Sequence, residues 1–286
     1  EIGDGSSLFV KLRKGSFNEI VVTLPRFLSD HGVAHIIPPL PARDGRLWVS
    51  LVNYRLILYP YMEGRDGYEI NLSDRQWVEY GQTLKRIHDV SLPVELARLI
   101  KQESYSPYWR EELKKHLERI EKETFTDPIA ARLAEFLNAR RGQVLDLIQR
   151  TASLALSLRD QPRDFVLCHS DIHPGNLLIS AADFYIVDWD DPILAPIERD
   201  LMFIGAGISG KRHKESETAL FFQGYRQQPI DPTALTYFRC ARIIEDLAVE
   251  CDHILSTSAA NQDREQSFNY LRSNFAPGGE IEIAQN

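Results

Sequence analysis

The period of the apolar positions changes along the chain, and the change divides it in two. Up to about residue 60, short apolar runs dominate. Leu8-Phe9-Val10-Lys11-Leu12 reads as a strand, and Leu47 to Val52 and Arg55 to Tyr59 read as a hairpin around Asn53-Tyr54, ended by Pro60. Between them Ile20, Val21, Leu24, Phe27 and Leu28 recur at helical spacing, which predicts a helix from Phe17 to His31 despite Pro25. Beyond residue 60 the helical period takes over. Ser73 and Gln76 form a capping box, and Trp77, Tyr80, Leu84 and Ile87 line one face of the helix it opens. Ser106 as N-cap with Pro107 at the first helical position predicts another helix, carrying Trp109, Leu113, Leu117 and Ile120. Regular spacing assigns Trp77 and Trp109 to a core rather than to a ligand platform. Asp127-Pro128 repeats the start signal, and the helix after it is expected to run to about Leu158.

Strands return at Phe165–Cys168, Leu177–Ile179 and Phe184–Val187, and helices resume near 216–225, 232–256 and 263–274. There is no internal repeat and no low-complexity linker. The fold class is α+β, with a β-rich lobe over residues 1–59 and a large, mainly helical lobe over 60–286 that contains a few short strands.

Composition narrows the function. The chain has 286 residues, 43% of them hydrophobic and 26% charged, enough to bury a core without disulfide or metal staples. Its 33 Lys+Arg against 41 Asp+Glu give a net charge of −8, which argues against a nucleic-acid partner and leaves room for a cationic small molecule. Cys168, Cys240 and Cys251 are odd in number, widely spaced and contain no CxxC pair, so a zinc site or disulfide framework is not expected and a reducing cytoplasm is. No apolar run approaches the ~18 residues of a membrane span. The first residues, Glu1-Ile2-Gly3-Asp4-Gly5-Ser6-Ser7, read as turn chemistry rather than a leader. The absence of an initiator Met suggests a processed chain or a piece of a longer one.

The chemistry concentrates in Cys168-His169-Ser170-Asp171-Ile172-His173-Pro174-Gly175-Asn176-Leu177-Leu178-Ile179, followed by Tyr185-Ile186-Val187-Asp188-Trp189-Asp190. A strand delivers Asp171 into a loop, the loop returns as a strand after Asn176, and a hairpin ends at Asp188. Each of the three alone could cap a turn. Together they can gather a carboxylate, a carboxamide and a second carboxylate in one place. Phosphoryl transfer needs such parts: an Asp to orient the attacking hydroxyl and take its proton, Asn and Asp oxygens for Mg²⁺, and a strand Lys for the phosphates. Lys11 lies on an early strand, and Glu19 on the next helix could hold it in place. His169 reads as a brace for the loop rather than a base, Asp200 as a structural acceptor for the loop backbone, and His173 as facing solvent or the loop. Asp190 is open between a third metal ligand and a solvated acid.

His169-x-Asp171-x₄-Asn176 with Val187-Asp188-Trp189-Asp190 resembles the catalytic segment of the aminoglycoside phosphotransferase family, within the protein-kinase-like superfamily. Phe9-Val10-Lys11-Leu12, Leu58-Tyr59-Pro60-Tyr61, Tyr105-Ser106-Pro107-x-Trp109-Arg110 and the stretch Ala195 to Gly205 resemble its spectinomycin-modifying branch. The resemblance implies a bilobal kinase-like fold and Mg²⁺-dependent transfer of the γ-phosphoryl of ATP or GTP to a hydroxyl of spectinomycin or a related cationic aminocyclitol. Resistance to the drug would be the outcome. By the same resemblance Asp171 is the catalytic carboxylate, Asn176 and Asp188 bind Mg²⁺, and Lys11 contacts nucleotide phosphates. Tyr59-Pro60-Tyr61 is the hinge. Pro60 has no N–H, so Tyr59 C=O and Tyr61 N–H would read adenine, with Leu178 and Val187 packed under the base.

A cationic substrate calls for carboxylates. Asp191 directly follows the metal motif, and Glu245, Asp246, Glu250 and Asp252 share one helix, where Glu245 and Asp252 lie on one face and Asp246 and Glu250 on the next; the alternative is a solvated helix face. Two departures from the family stand out. Ten residues precede Lys11, too few for the family's first two strands and the phosphate-covering loop, so these are either absent from this chain or the protein is catalytically incomplete. The Asp-Trp-Asp motif lacks the Phe-Gly of protein kinases. Rival readings are a kinase of another small amine or alcohol (choline, homoserine or fructosamine type) and a non-catalytic nucleotide or ligand binder.

Overall fold

The computed structural model describes residues 7–205, 208, 213–226, 228–256 and 261–285. Most of the turn expected over Gly3–Ser7 lies outside them. In chain order the elements are β1 (Leu8–Lys14), α1 (Ile20–Asp30), β2 (Val49–Leu51), β3 (Tyr54–Pro60), β4 (Arg65–Asp66), α2 (Asp74–His88), α3 (Val94–Ala97), β5 (Lys101–Gln102), α4 (Tyr108–Lys122), α5 (Pro128–Ala139) and α6 (Arg141–Arg159). They continue with β6 (Val166–Cys168), a 3₁₀ turn (Pro174–Asn176), β7 (Leu177–Ile179), β8 (Phe184–Ile186), β9 (Ile193–Ala195), α7 (Glu198–Leu201), α8 (Glu215–Tyr225), α9 (Pro232–Leu255), α10 (Asn261–Ser273) and α11 (Glu280–Gln285).

Contacts divide the chain otherwise than at residue 59. One unit gathers the described residues of Glu1–Gln102, Asp164–Gly205 and His213–Pro229; the other gathers those of Glu103–Arg163, Ala206–Arg212 and Ile230–Asn286. The segment from Cys168 to Asp190 therefore belongs with the N-terminal strands.

The first unit holds three small sheets. Antiparallel β1-β3-β2 sets Lys11 opposite Ile57, which is fully buried, so Lys11 and Arg13 share the inward face of β1. The hairpin turns at Val52 and Asn53, because Leu51 pairs with Tyr54; the expected turn at Asn53-Tyr54 is one residue late. Helix α1 starts at Ile20, whose N–H is capped by the Asn18 side chain at 3.1 Å, and Pro25 lies inside it as expected. The other sheets, β4-β7-β8 and β5-β9-β6, carry the segment from Cys168 to Asp190. The short β4, β5 and β9 carry too few residues to show a period and were not anticipated. The Ser73–Gln76 capping box forms as expected at the start of α2. Helices α2 and α8 pack backbone to backbone: a methyl on Gly81 would run into the Phe221 carbonyl, and one on Gly224 into that of Val78.

The second unit is helical. The long α9 buries Tyr237, Phe238, Ile243, Ile244, Leu247 and Cys251 against α4, α5, α6, α10 and α11. The helix expected from Asp127 to Leu158 is broken at Arg140 (φ −116°, ψ 10°), which separates α5 from α6. Helical period persists on both sides of such a break, so the pattern could not show it. Asp127 caps α5 through the N–H groups of Ile129 and Ala130 and also takes the Arg264 guanidinium. At α4 the N-cap is Pro107, one residue later than expected, with Ser106 Oγ accepting the Tyr108 N–H. No helix among the described residues is long and apolar enough to cross a membrane.

Candidate active site

Strand β6 ends at Cys168, and the next residues are held by one buried carboxylate. Asp200 Oδ2 accepts the His169 N–H at 2.9 Å and Oδ1 accepts the Ser170 N–H at 2.7 Å. His88 Nε2 lies 2.9 Å from Oδ2, and His88 Nδ1 lies 2.7 Å from the Tyr225 hydroxyl. Burial pushes the Asp200 carboxyl up, but the hydrogen bond and charge of His88 and the Ser170 N–H outweigh it and hold the group below the ordinary carboxylate value. Cys168 lies within ligand distance of His88 and Asp200, but its thiol is bonded to the Ala195 and Pro196 carbonyls and burial pushes its pKa up. The cluster is thus a clamp on the loop.

Ser170 has φ 74°, in the left-handed region, and it is pinned on both sides by Asp200 and by its own Oγ, which donates to the Asp191 carbonyl at 2.7 Å. His169 braces the loop as expected. Its Nδ1 accepts the Asp171 N–H at 3.3 Å, which places the ring proton on Nε2, and Nε2 donates to the Val187 carbonyl at 3.0 Å. With both nitrogens on backbone, the ring is not placed as a base.

Asp171 and Asn176 come together across the turn. Asn176 Nδ2 donates to the Asp171 carbonyl at 2.7 Å and lies 3.4 Å from Asp171 Oδ2. In the β7-β8 hairpin Leu177 faces Ile186, and Val187 N–H donates to the Asn176 carbonyl at 3.0 Å. Asn176 is therefore paired beside Asp188, which is a second left-handed residue at φ 63°. The chemistry of this donor set fits Mg²⁺. The Asn176 amide nitrogen is committed to Asp171, so its side-chain oxygen would be the atom offered to a metal, and the Asp188 carboxylate is 45% exposed. Hard oxygens with room for water and phosphate are what this ion takes.

Lys11 Nζ lies 2.8 Å from Asp188 Oδ1 and 3.0 Å from Asp190 Oδ1. Arg13 pairs with the other oxygen of Asp190. The expected Lys11–Glu19 pair does not form: Glu19 is exposed at the N-cap of α1, and the Lys11 ammonium turns instead to the two carboxylates after β8. Asp190 is thus an ion-pair acceptor for two cations rather than a solvated acid.

A cavity of about 350 Å³ adjoins these groups. Lys11, Asp188 and Asp190 border it, and Val21, Ile37, Leu178, Ile186 and Val187 give it apolar walls. Tyr59, Pro60, Tyr61 and Met62 line it too. Burial pushes the Tyr59 phenol up to about 12, with Arg13 lowering it and Asp188 raising it. Leu178 and Val187, the residues expected under a base, both line this cavity. The hinge needs a correction. Tyr61 N–H donates to the Ser7 carbonyl at 3.2 Å, and Phe9 pairs with Tyr59, because β1 runs alongside β3 as far as Pro60. In this structure the Tyr61 N–H is engaged by the chain itself.

The expected substrate carboxylates are divided between the two units. Asp191 is exposed and its carboxylate lies 3.4 Å from Lys101 Nζ. Glu245, Asp246 and Asp252 lie on α9 in the second unit. Asp246 is drawn into an intrahelical pair with Arg242 at 2.9 Å, Glu245 is half-buried and Asp252 is exposed. Sequence reasoning missed Ile37, Ile186, Met62 and Arg13. Arg13 had a readable signal, two residues after Lys11 on one strand face; Ile37 had none, since it sits in irregular chain brought to β8 by the Ile36–Ile186 bridge.

Comparison with known proteins gives the family and the fold. Residues 21–237 match the phosphotransferase enzyme family. The structure is similar to spectinomycin phosphotransferase APH(9)-Ia in complex with ADP and spectinomycin, at 37% identity and a TM-score of 0.91, over 99% of this chain and 86% of that one. The AMP-bound complex of the same enzyme gives 37% identity and a TM-score of 0.89, over 99% and 88%. At 17% identity and a TM-score of 0.62, over 99% and 86%, the amicoumacin kinase hAmiN with AMP-PNP, Ca²⁺ and Ami shares the fold. No curated protein sequence matches significantly. Family match, near-complete structural overlap and the α+β kinase-like architecture agree, and the chain belongs to the phosphotransferase enzyme family.

Proposed function

We propose that this chain transfers the γ-phosphoryl group of ATP or GTP to a hydroxyl of spectinomycin or a related cationic aminocyclitol, with Mg²⁺ as cofactor. The observation that carries the reading is the grouping of Asp171, Asn176 and Asp188 on one loop and hairpin, opposite Lys11 and beside an apolar cavity. The base would lie in that cavity against Leu178 and Val187, where the apolar walls exclude water. Lys11 would exchange its carboxylate partners for phosphate oxygens. Asn176 and Asp188 would hold the metal, which supplies charge neutralisation on the phosphates when bound. Asp171 would accept a hydrogen bond from the attacking hydroxyl, orient it and take its proton. Little covalent work is asked of the protein, so the rate comes from positioning and electrostatics. Asp191, Glu245 and Asp252 are the carboxylates proposed to favour a cation; Asp246 is discounted by its Arg242 pair. Loss of the drug's fit to its target would make the biological outcome resistance.

The test is a substrate panel. The protein is incubated with ATP or GTP and Mg²⁺ against spectinomycin, other aminoglycosides, choline, homoserine and a fructosamine, and mass spectrometry reads the products. A phosphorylated spectinomycin supports the proposal. Phosphorylation of choline, homoserine or the fructosamine alone reassigns the substrate, and no product from any acceptor overturns the reading.

A further inference from the structure

The ring of His173 is held on several sides within the turn that carries Asp171. Its Nδ1 accepts the Gly175 N–H at 3.0 Å and so caps the 3₁₀ turn Pro174–Asn176. The Tyr68 hydroxyl lies 3.4 Å from the same nitrogen, and the Tyr68 ring faces the imidazole at 6.0 Å between centroids and 29° between planes. Room for the ring depends on Gly175, where a Cβ would come within 2.8 Å of His173 Cε1 and 3.0 Å of Tyr68 Cε2. Since Nδ1 accepts, the proton sits on Nε2. Nε2 is 3.6 Å from Asp171 Oδ2, the same oxygen that Asn176 Nδ2 approaches at 3.4 Å.

We infer that His173 is a positioning residue for phosphoryl transfer, fixing the orientation of the Asp171 carboxylate through Oδ2. This rests on the role of Asp171 proposed above. The terminal torsion of an Asp side chain is broad and roughly two-fold, so a carboxylate that must present one oxygen to a hydroxyl needs partners to hold it. Two N–H groups from one turn supply them. The His173 contact is longer than a hydrogen bond, and such contacts tighten when substrate is bound. One ring nitrogen serves the turn and the other serves Asp171, so the two duties can be separated by mutation.

His173→Asn keeps an oxygen where Nδ1 accepts the Gly175 N–H, but its side chain is too short to reach Asp171. His173→Gln reaches Asp171 with an amide N–H but is a poor cap. Steady-state kinetics with spectinomycin and ATP, and thermal melts, are measured on both. The expected result is that His173→Asn keeps the wild-type melting temperature and both KM values while kcat falls about tenfold, as for a slightly misplaced catalytic group. His173→Gln melts lower yet retains more kcat than the Asn variant. A kcat for His173→Asn within about twofold of wild type, well short of the loss that misplacement causes, overturns the inference alone. Losses of kcat that follow the melting temperature in both variants also overturn it, leaving only the cap. A wild type that phosphorylates no acceptor overturns this inference together with the proposed function.

Discussion

Asp200 accepts the backbone N–H of Ser170 at 2.7 Å, and Ser170 is the left-handed residue that turns the chain into Asp171. One buried carboxylate thus sets the direction from which Asp171, the proposed catalytic group, enters. Asp200→Asn replaces one of two accepting oxygens by an NH₂ that faces N–H donors. The expected cost is on the order of 3 kcal/mol. Thermal melts should show a fall of several degrees, and kcat should drop even where the variant is folded. An unchanged melting temperature would remove the clamp from this account.

The same group predicts a pH dependence. Asp200 is held below the ordinary carboxylate value, so its folded pKa is depressed. Its contribution is complete above the unfolded-state value of about 4 and is lost as pH falls through the folded value. The melting-temperature gap between wild type and Asp200→Asn should be full at neutral pH and narrow on acidification. A gap that widens toward acid would contradict the sign.

Asp171→Asn keeps the volume and the backbone contact with Asn176 while removing the proposed base. Turnover should fall at least ~10²-fold, the low end for a lost general base. Nucleotide affinity, read by fluorescence titration, should not change, because the proposed partner of Asp171 is the acceptor hydroxyl and not the nucleotide.

Asp188→Ala should abolish Mg²⁺-dependent nucleotide binding, since it removes a proposed metal ligand and one of the two carboxylates that hold Lys11. Lys11→Met should raise the nucleotide KM more than the acceptor KM. Unchanged Mg²⁺ dependence in the Asp188 variant would contradict the ligand assignment.

Gly81→Ala tests the packing of α2 on α8. The added methyl meets a backbone carbonyl, which cannot swing aside as a side-chain end can. Destabilisation of at least about 2 kcal/mol is expected, the range for overpacked cores. The check is a denaturant titration, with an unchanged slope and an earlier midpoint.

The elements with a clear period were legible in the chain: α2 from its capping box, α9 from its apolar face, and the order strand, loop, hairpin around Asp171, Asn176 and Asp188. Fold class followed from them. Breaks and very short pieces were not legible. The stop at Arg140 leaves the helical period intact on both sides, and β4, β5 and β9 exist only because partner strands supply their hydrogen bonds.

Side-chain partners divided the same way. Local ones, such as Asn176 with Asp171 and His169 with its own loop, are set by turns of a few residues, and sequence spacing reaches that far. Lys11 with Asp188, Arg13 with Asp190, Tyr61 with Ser7 and Asp200 with His88 were decided by how strands and helices pack. A charge pairs with whichever opposite charge the packing brings within a few ångströms. In a chain where acidic residues recur throughout, only the tertiary structure selects which one that is, so Lys11 meets Asp188 and not the nearby Glu19.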